Sequence, residues 1–285
     1  MTLFNFELKS FDKCAMPSIN NSKSLCWFWL TDSEYYLQFE NTKIYESNIE
    51  WLQKNSISGS VFLDYHFIRF LEDFFGLLPN LARPIPKKWF HRLNTVTEFR
   101  KEVDSLDLIE FSEEEDQLFD LLLEFYNLGN LDSGFLATPP LIRFIHFEDQ
   151  IHIYWDCSRK DETGLTPWLG GIGEYRIPYS DFLLEIEDLL RHFFCAMDKQ
   201  LNDLKIYLET NPQQTEYILY DLYQERDRKK GISKNGFDYL LEEHQQRKDF
   251  FYSILTKMKN NEYPSFPWGK LEQAWKFFEM DNKKG

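Results

Sequence analysis

Ile142-Arg143-Phe144-Ile145-His146-Phe147, Glu148-Asp149-Gln150 and Ile151-His152-Ile153-Tyr154-Trp155 follow one another without a break, and their order decides the fold. The outer segments are rich in β-branched and aromatic residues, which suit a pleated surface. The middle one is short and polar, so the three predict a hairpin. A polar, Gly-rich loop comes next, then a helix from about residue 181 carrying Phe182-Leu183-Leu184-Glu185-Ile186-Glu187-Asp188-Leu189-Leu190. An earlier stretch has the same order. Trp27-Phe28-Trp29-Leu30 and Tyr35-Tyr36-Leu37-Gln38-Phe39 flank a polar Thr31-Asp32-Ser33-Glu34, and a strongly apolar helix is expected over about 64–78. A shift of 115 places Phe67 on Phe182 and Glu72-Asp73 on Glu187-Asp188, and a shift of 116 overlays the hairpins. The expectation is a duplicated hairpin-plus-helix unit, giving an α+β fold with a mainly antiparallel sheet and a helical C-terminal part.

The boundaries follow from this pattern. Residues 1–100 hold the first unit, 101–210 an acidic connector and the second unit, and 211–285 a helical region, unless all three form one compact domain. In the first hairpin Trp27, Trp29 and Tyr36 share one face while Phe28, Leu30, Tyr35, Leu37 and Phe39 share the other. Both faces are apolar, so helices cover both or one is an interface. Helices are also predicted from Ser112 through Phe125, over 213–230 and 236–260, and after the Pro264–Pro267 break, the last with Leu271, Trp275 and Phe278.

Composition excludes whole classes of function. The chain has 285 residues with 27 Phe, 15 Tyr and 8 Trp but only 12 Gly and 11 Pro, so it is not a disordered or linker-type protein. Its 47 acids against 32 bases, a net charge of −15, argue against nucleic acid or an anionic membrane as partner. The N-terminus lacks a basic segment followed by an apolar one, and no apolar run reaches the roughly 18–20 residues that span a bilayer. Cys14, Cys26, Cys157 and Cys195 include no C-x-x-C pair, which fits a reducing cytoplasm. The acidity is local: residues 101–149 hold 13 acids and two bases, Lys101 and Arg143.

Candidate chemistry is sparse. The helix expected at 64–78 carries a narrow polar stripe of His66, Arg69, Asp73 and Gly76, in which Arg69 reaches Glu72 and Asp73 at i+3 and i+4. His146, Asp149, His152, Asp156 and Cys157 have the composition of a metal site. A two-residue turn at Asp149-Gln150 sets His146 opposite Ile153 and Phe147 opposite His152, so the histidines point to opposite faces. A three-residue turn would set them opposite each other. The first register also sets Arg143 opposite Asp156, a cross-strand ion pair. Gly164, Gly170, Gly171 and Gly173 lie in a loop without G-x-G-x-x-G or a Walker Lys, and that loop runs into extended Glu174–Pro178 rather than a helix. Trp168 at its tip, between Pro167 and Leu169, is a candidate exposed anchor for a partner. No nucleophile, zinc or cofactor motif is present.

Phe4-Asn5-Phe6-Glu7-Leu8, Leu25-Cys26-Trp27-Phe28-Trp29-Leu30-Thr31-Asp32, Asp64-Tyr65 with Arg69 and Glu72-Asp73, and Ile153-Tyr154-Trp155-Asp156 together resemble a bacterial family of domains of unassigned function. The resemblance covers roughly the first 200 residues. Members usually carry Pro-Trp shortly after the first strand, where this chain has Cys14-Ala15-Met16-Pro17. The resemblance implies no activity.

The leading expectation is a cytoplasmic protein-binding module of the immunity or antitoxin type, needing no cofactor or metal. Asp104, Asp107, Glu110, Glu113, Glu114, Glu115 and Asp116, with Trp168, would bind and block a basic partner such as a toxin or effector. Two readings compete with it. One is a hydrolase with Arg69, Glu72, Asp73, Arg143 and Asp156 converging in a cleft between the units; the other is a scaffold subunit.

Overall fold

The structure is a computed structural model that describes residues 2–19, 22–93, 113–211, 217–219 and 234–281. Its most regular part is the hairpin of β7 (Leu141–Phe147) and β8 (Gln150–Asp156), joined by β9 (Ile172–Pro178) into an antiparallel sheet ordered β7-β8-β9. The turn is Glu148-Asp149, with Glu148 at φ +55°. Phe147 therefore pairs with Gln150, His146 with Ile151 and Ile145 with His152. The expected register was two residues off. Such a slip leaves every side chain on its own face, because the period of a strand is two. His146 and His152 do lie on opposite faces, but Arg143 stands opposite Tyr154 and not Asp156.

The first unit is built differently. Its central strand is β4 (Asp32–Phe39), paired antiparallel with β1 (Phe4–Leu8), β5 (Thr42–Ile44) and β6 (Leu63–His66). The hairpin expected at 27–39 does not form. Trp29–Thr31 is a short 3-10 turn leading into β4, in which Leu30 and Thr31 are buried. A continuous apolar run does not distinguish strand from buried turn. Ser22–Leu25 (β3) instead pairs with β2 (Ser18–Ile19) and, in parallel, with β10 (Tyr217–Leu219). That last strand corrects part of the helix expected at 213–230, the remainder of which lies outside the described residues.

In both units a strand runs directly into a helix that packs on its sheet. β6 leads into α2 (Phe67–Leu81) and β9 into a 32-residue helix, Tyr179–Thr210. Phe67, Leu71, Phe74, Phe75, Leu78 and Ala82 are buried, as are Phe182, Ile186, Leu189, Leu190, Phe193 and Met197, each 115 residues later. The other described helices are α1 (Ile49–Lys54), α3 (Lys87–Leu93), α4 (Glu113–Asn127), then after the long helix, α5, come α6 (Lys234–Lys259) and α7 (Trp268–Asp281). The molecule is thus α+β, with a helical C-terminal part. At about 1.5 Å per residue α5 is long enough to touch β1, β8 and β9, and so to join the sheets.

Two apolar clusters result. The larger gathers the shared inner side, with Tyr35, Leu37, Phe74, Phe144, Ile153, Phe182 and Phe193, and reaches from Leu3 to Met258. The smaller lies on the far face of β7-β8-β9, where Ile145 meets Trp89, Phe125 and Leu271 of α3, α4 and α7. Among the described residues no helix is long and apolar enough to cross a membrane.

Candidate functional site

The helix α4, EEEDQLFDLLLEFYN, carries six acids and no base. Leu122, Phe125 and Tyr126 are buried in the smaller core, while Asp116, Asp120 and Glu124, each four residues apart, are exposed in a line. Among the described residues none of these three carboxylates has an ion-pair or hydrogen-bond partner. Glu113, Glu114 and Glu115 open the same helix. Asp104, Asp107 and Glu110 lie outside the described residues.

The C-terminal end of α4 is fixed by Arg143. Its side chain is buried, and it donates from Nε to Asn130 Oδ1 (2.6 Å), from Nη2 to the Tyr126 carbonyl (3.0 Å) and from Nη1 to the Leu93 carbonyl (2.8 Å). A guanidinium at a helix C-terminus satisfies carbonyls that have no intrahelical donor and suits the helix dipole. Burial pushes its pKa down to about 10, so the cation persists at neutral pH. Arg143 is therefore the staple between β7, α3 and α4. It takes no part in the expected cleft: it sits on the face of β7-β8-β9 toward α4, whereas α2 packs on the opposite face through Phe74 and Phe144. Asp156 lies on Arg143's side and accepts from the Ser158 N–H and hydroxyl at 2.8 and 2.6 Å, a local turn. The five residues proposed to converge are split by the sheet.

The α2 triad is present. Arg69 lies 3.1 Å from Asp73 and 4.0 Å from Glu72. A cation that the sequence did not indicate joins it: Arg247 of α6 reaches Glu72 Oε1 at 2.8 Å and Glu243 at 3.0 Å, and lies 4.7 Å over the Trp27 ring. Beside it Trp27 Nε1 donates to His244 Nδ1 (3.2 Å), and His244 Nε2 bonds Asp198 (2.8 Å). An indole N–H only donates, so the facing imidazole nitrogen is bare and His244 is neutral. Burial also lowers its pKa, against the opposing pull of Asp198. Burial raises Asp73 to about 6, against the Arg69 charge. Its Oδ2, like the nearby Tyr35 hydroxyl, is buried without a hydrogen-bond partner.

A cleft of about 750 Å³ does separate the two units, lined by segments from 47–64, 136–138 and 159–168. Trp168 closes it from inside and is not an exposed anchor. It is only 8% exposed, donates from Nε1 to the Thr138 carbonyl (2.8 Å) and packs edge-on against Tyr45. Trp51 of α1 stands on the wall, its Nε1 held by Asp161 at 2.5 Å.

The family of unknown function DUF5984 matches residues 3–274. The chain belongs to this family. The match takes in the first 200 residues and most of the helical C-terminal part. No curated protein and no solved structure matches the chain. In this DUF5984 member several of the residues singled out in its sequence hold the fold together. Thr31 Oγ1 donates to the Phe28 carbonyl (2.7 Å) and accepts from the Ile68 N–H (3.4 Å), tying the 3-10 turn to α2. Buried Asp32 accepts from the Ala15 N–H (2.7 Å) and pairs with Lys9, which also bonds Asp64. The Arg247 and His244 contacts escaped the sequence because their partners lie 175 and 217 residues away.

Proposed function

We propose that the protein is a cytoplasmic binding module of the bacterial immunity or antitoxin type, which blocks a basic partner through the outer face of α4. The observation that carries this reading is the line of Asp116, Asp120 and Glu124, exposed and without a partner among the described residues, on a helix whose other side is packed and whose end is stapled by Arg143. Unpaired carboxylates on a rigid element steer a cationic partner and keep a fixed spacing, as blocking a basic active site requires. The segment before α4, with Asp104, Asp107 and Glu110, extends the same charge in sequence. The hydrolase reading loses its proposed constellation, since Arg143 and Asp156 lie across the sheet from Arg69, Glu72 and Asp73. The test is co-expression with the product of the adjacent gene in its source cell. Rescue of growth by the wild-type protein, together with co-purification of a basic protein in equal amount, supports the module. Purification alone, with no rescue, rejects it.

A further inference from the structure

The cleft between the units is separate from the α4 face, and its chemistry narrows what it can hold. At about 750 Å³ it falls within the range of roughly 300–1,000 Å³ typical of small-ligand sites. Both tryptophans that line it have spent their N–H groups inside the protein, Trp51 on Asp161 and Trp168 on the Thr138 carbonyl. The rings therefore offer the cleft only carbon surface. Around them stand hydroxyl and amide groups, among them Ser58, Thr138 and Asn55.

The charges on the lip nearly cancel. Arg159 and Lys160 line it together with Asp64, Asp161 and Glu162, and Lys9 pairs with Asp64 from outside. On a chain of net charge −15 such a lip gives an anion no attraction. For a cation, two of the three acids are already engaged, Asp161 by Trp51 and Thr163 and Asp64 by Lys9, and Glu162 stands beside Arg159 and Lys160 in the same lining. A lipid tail would need a deep apolar hole, and polar groups line too much of the wall for that. What remains is a neutral molecule with flat C–H faces and many hydroxyls.

We propose that the cleft binds a neutral oligosaccharide, with a pyranose ring stacked on Trp51 and its hydroxyls bonded to the surrounding side chains. The full chain, fluorescently labelled, is applied to an array of neutral and charged glycans, and the strongest neutral ligand is titrated in solution by tryptophan fluorescence. Trp51→Ala weakens that binding at least about tenfold, while Trp51→Phe, which keeps a ring face, loses less. Neutralising Asp116, Asp120 and Glu124 leaves it unchanged, so this site and the α4 face stand or fall separately. If Trp51→Ala does not fold, Ser58→Trp, which fills the mouth from an exposed loop, replaces it and abolishes binding. Binding of charged glycans alone, of no glycan, or of neutral glycans equally well by the folded variants overturns the proposal.

Discussion

The two sheets are covered unequally. In β7-β8-β9 the strands β7 and β8 are packed on both faces, by α2 and α5 on one side and by α3, α4 and α7 on the other, with β9 at the exposed edge. The sheet around β4 is packed on one: Ser33, Tyr35, Leu37 and Phe39 point into the core, while Glu34, Tyr36 and Gln38 alternate on the outer face. The difference shows how each holds charge. At the rim of the one-sided sheet water is within reach, so Asp64 sits in a half-exposed pair with Lys9, and on the adjoining α2 the partly exposed Arg69 pairs with the nearly covered Asp73. Between β7 and β8, covered on both faces, the buried cation Arg143 is satisfied by carbonyls and an amide, while Arg176 of the edge strand β9 pairs with Glu174 in solvent. The acidic face of α4 is presented from the two-sided half.

The largest effect should come from breaking that half. A Cβ at Gly129, where φ is +73°, would lie 1.8 Å from the Phe144 carbonyl oxygen, so Gly129→Ala must move β7 or α4. We expect a loss of about 3 kcal/mol or more in urea unfolding, from the strained backbone and the clash together. Arg143→Met should cost a similar amount, about 3–5 kcal/mol, because two buried carbonyls and the half-buried Asn130 amide oxygen lose a charged donor. Arg69→Ala, at the partly exposed pair of the other half, should cost about 1 kcal/mol or less. Equal losses at Arg143 and Arg69 would erase the contrast between the two sheets.

Trp27→Phe keeps a ring but removes the N–H to His244, and should cost about 1–2 kcal/mol at pH 7.5. Folding holds His244 neutral, so its folded pKa lies below 6.5 and the unfolded chain takes up the proton first. Stability tied to this imidazole is therefore lost as pH falls below about 6.5. The difference between wild type and Trp27→Phe in unfolding free energy should narrow on going to pH 5. Asp73 works in the opposite sense. Its folded pKa of about 6 exceeds the ordinary 3.8, so the folded state binds the extra proton and loses stability as pH rises through 6. Asp73→Asn should stabilise by about 1 kcal/mol at pH 7.5, with the gain gone at pH 5. A destabilised Asn variant at high pH would show that the Arg69 pair outweighs burial.

Local pattern carried the second hairpin, its facing and its following helix into view. Residues 141–156 pair within one hairpin, and parity protected the faces even though a turn placed one residue late shifted the register by two. Two helices were also legible: Glu113–Asn127 from its acids and apolar stripe, and Lys234–Lys259 from its spacing. The run Trp27–Leu30 misled because apolar residues fill a buried turn as readily as a strand. Arg143 was read as half of an ion pair because side chains are visible in a sequence, whereas the carbonyls of Leu93 and Tyr126 are not. The acidic segment was visible as charge, but only the fold shows that Asp116, Asp120 and Glu124 form a line on one side of an anchored helix.

The smallest effect on stability should fall on that line. Asp116→Asn, Asp120→Asn and Glu124→Gln together should change unfolding by about 0.5 kcal/mol or less, since none of the three is paired among the described residues. Their effect on association is the direct test of the central claim. The Kd of the co-purified basic partner is measured for wild type and for the triple variant between 50 and 300 mM salt. The account predicts at least about tenfold weaker binding of the variant at low salt, with the gap shrinking as salt screens the charges. Unchanged affinity and unchanged salt dependence in a folded variant would contradict it.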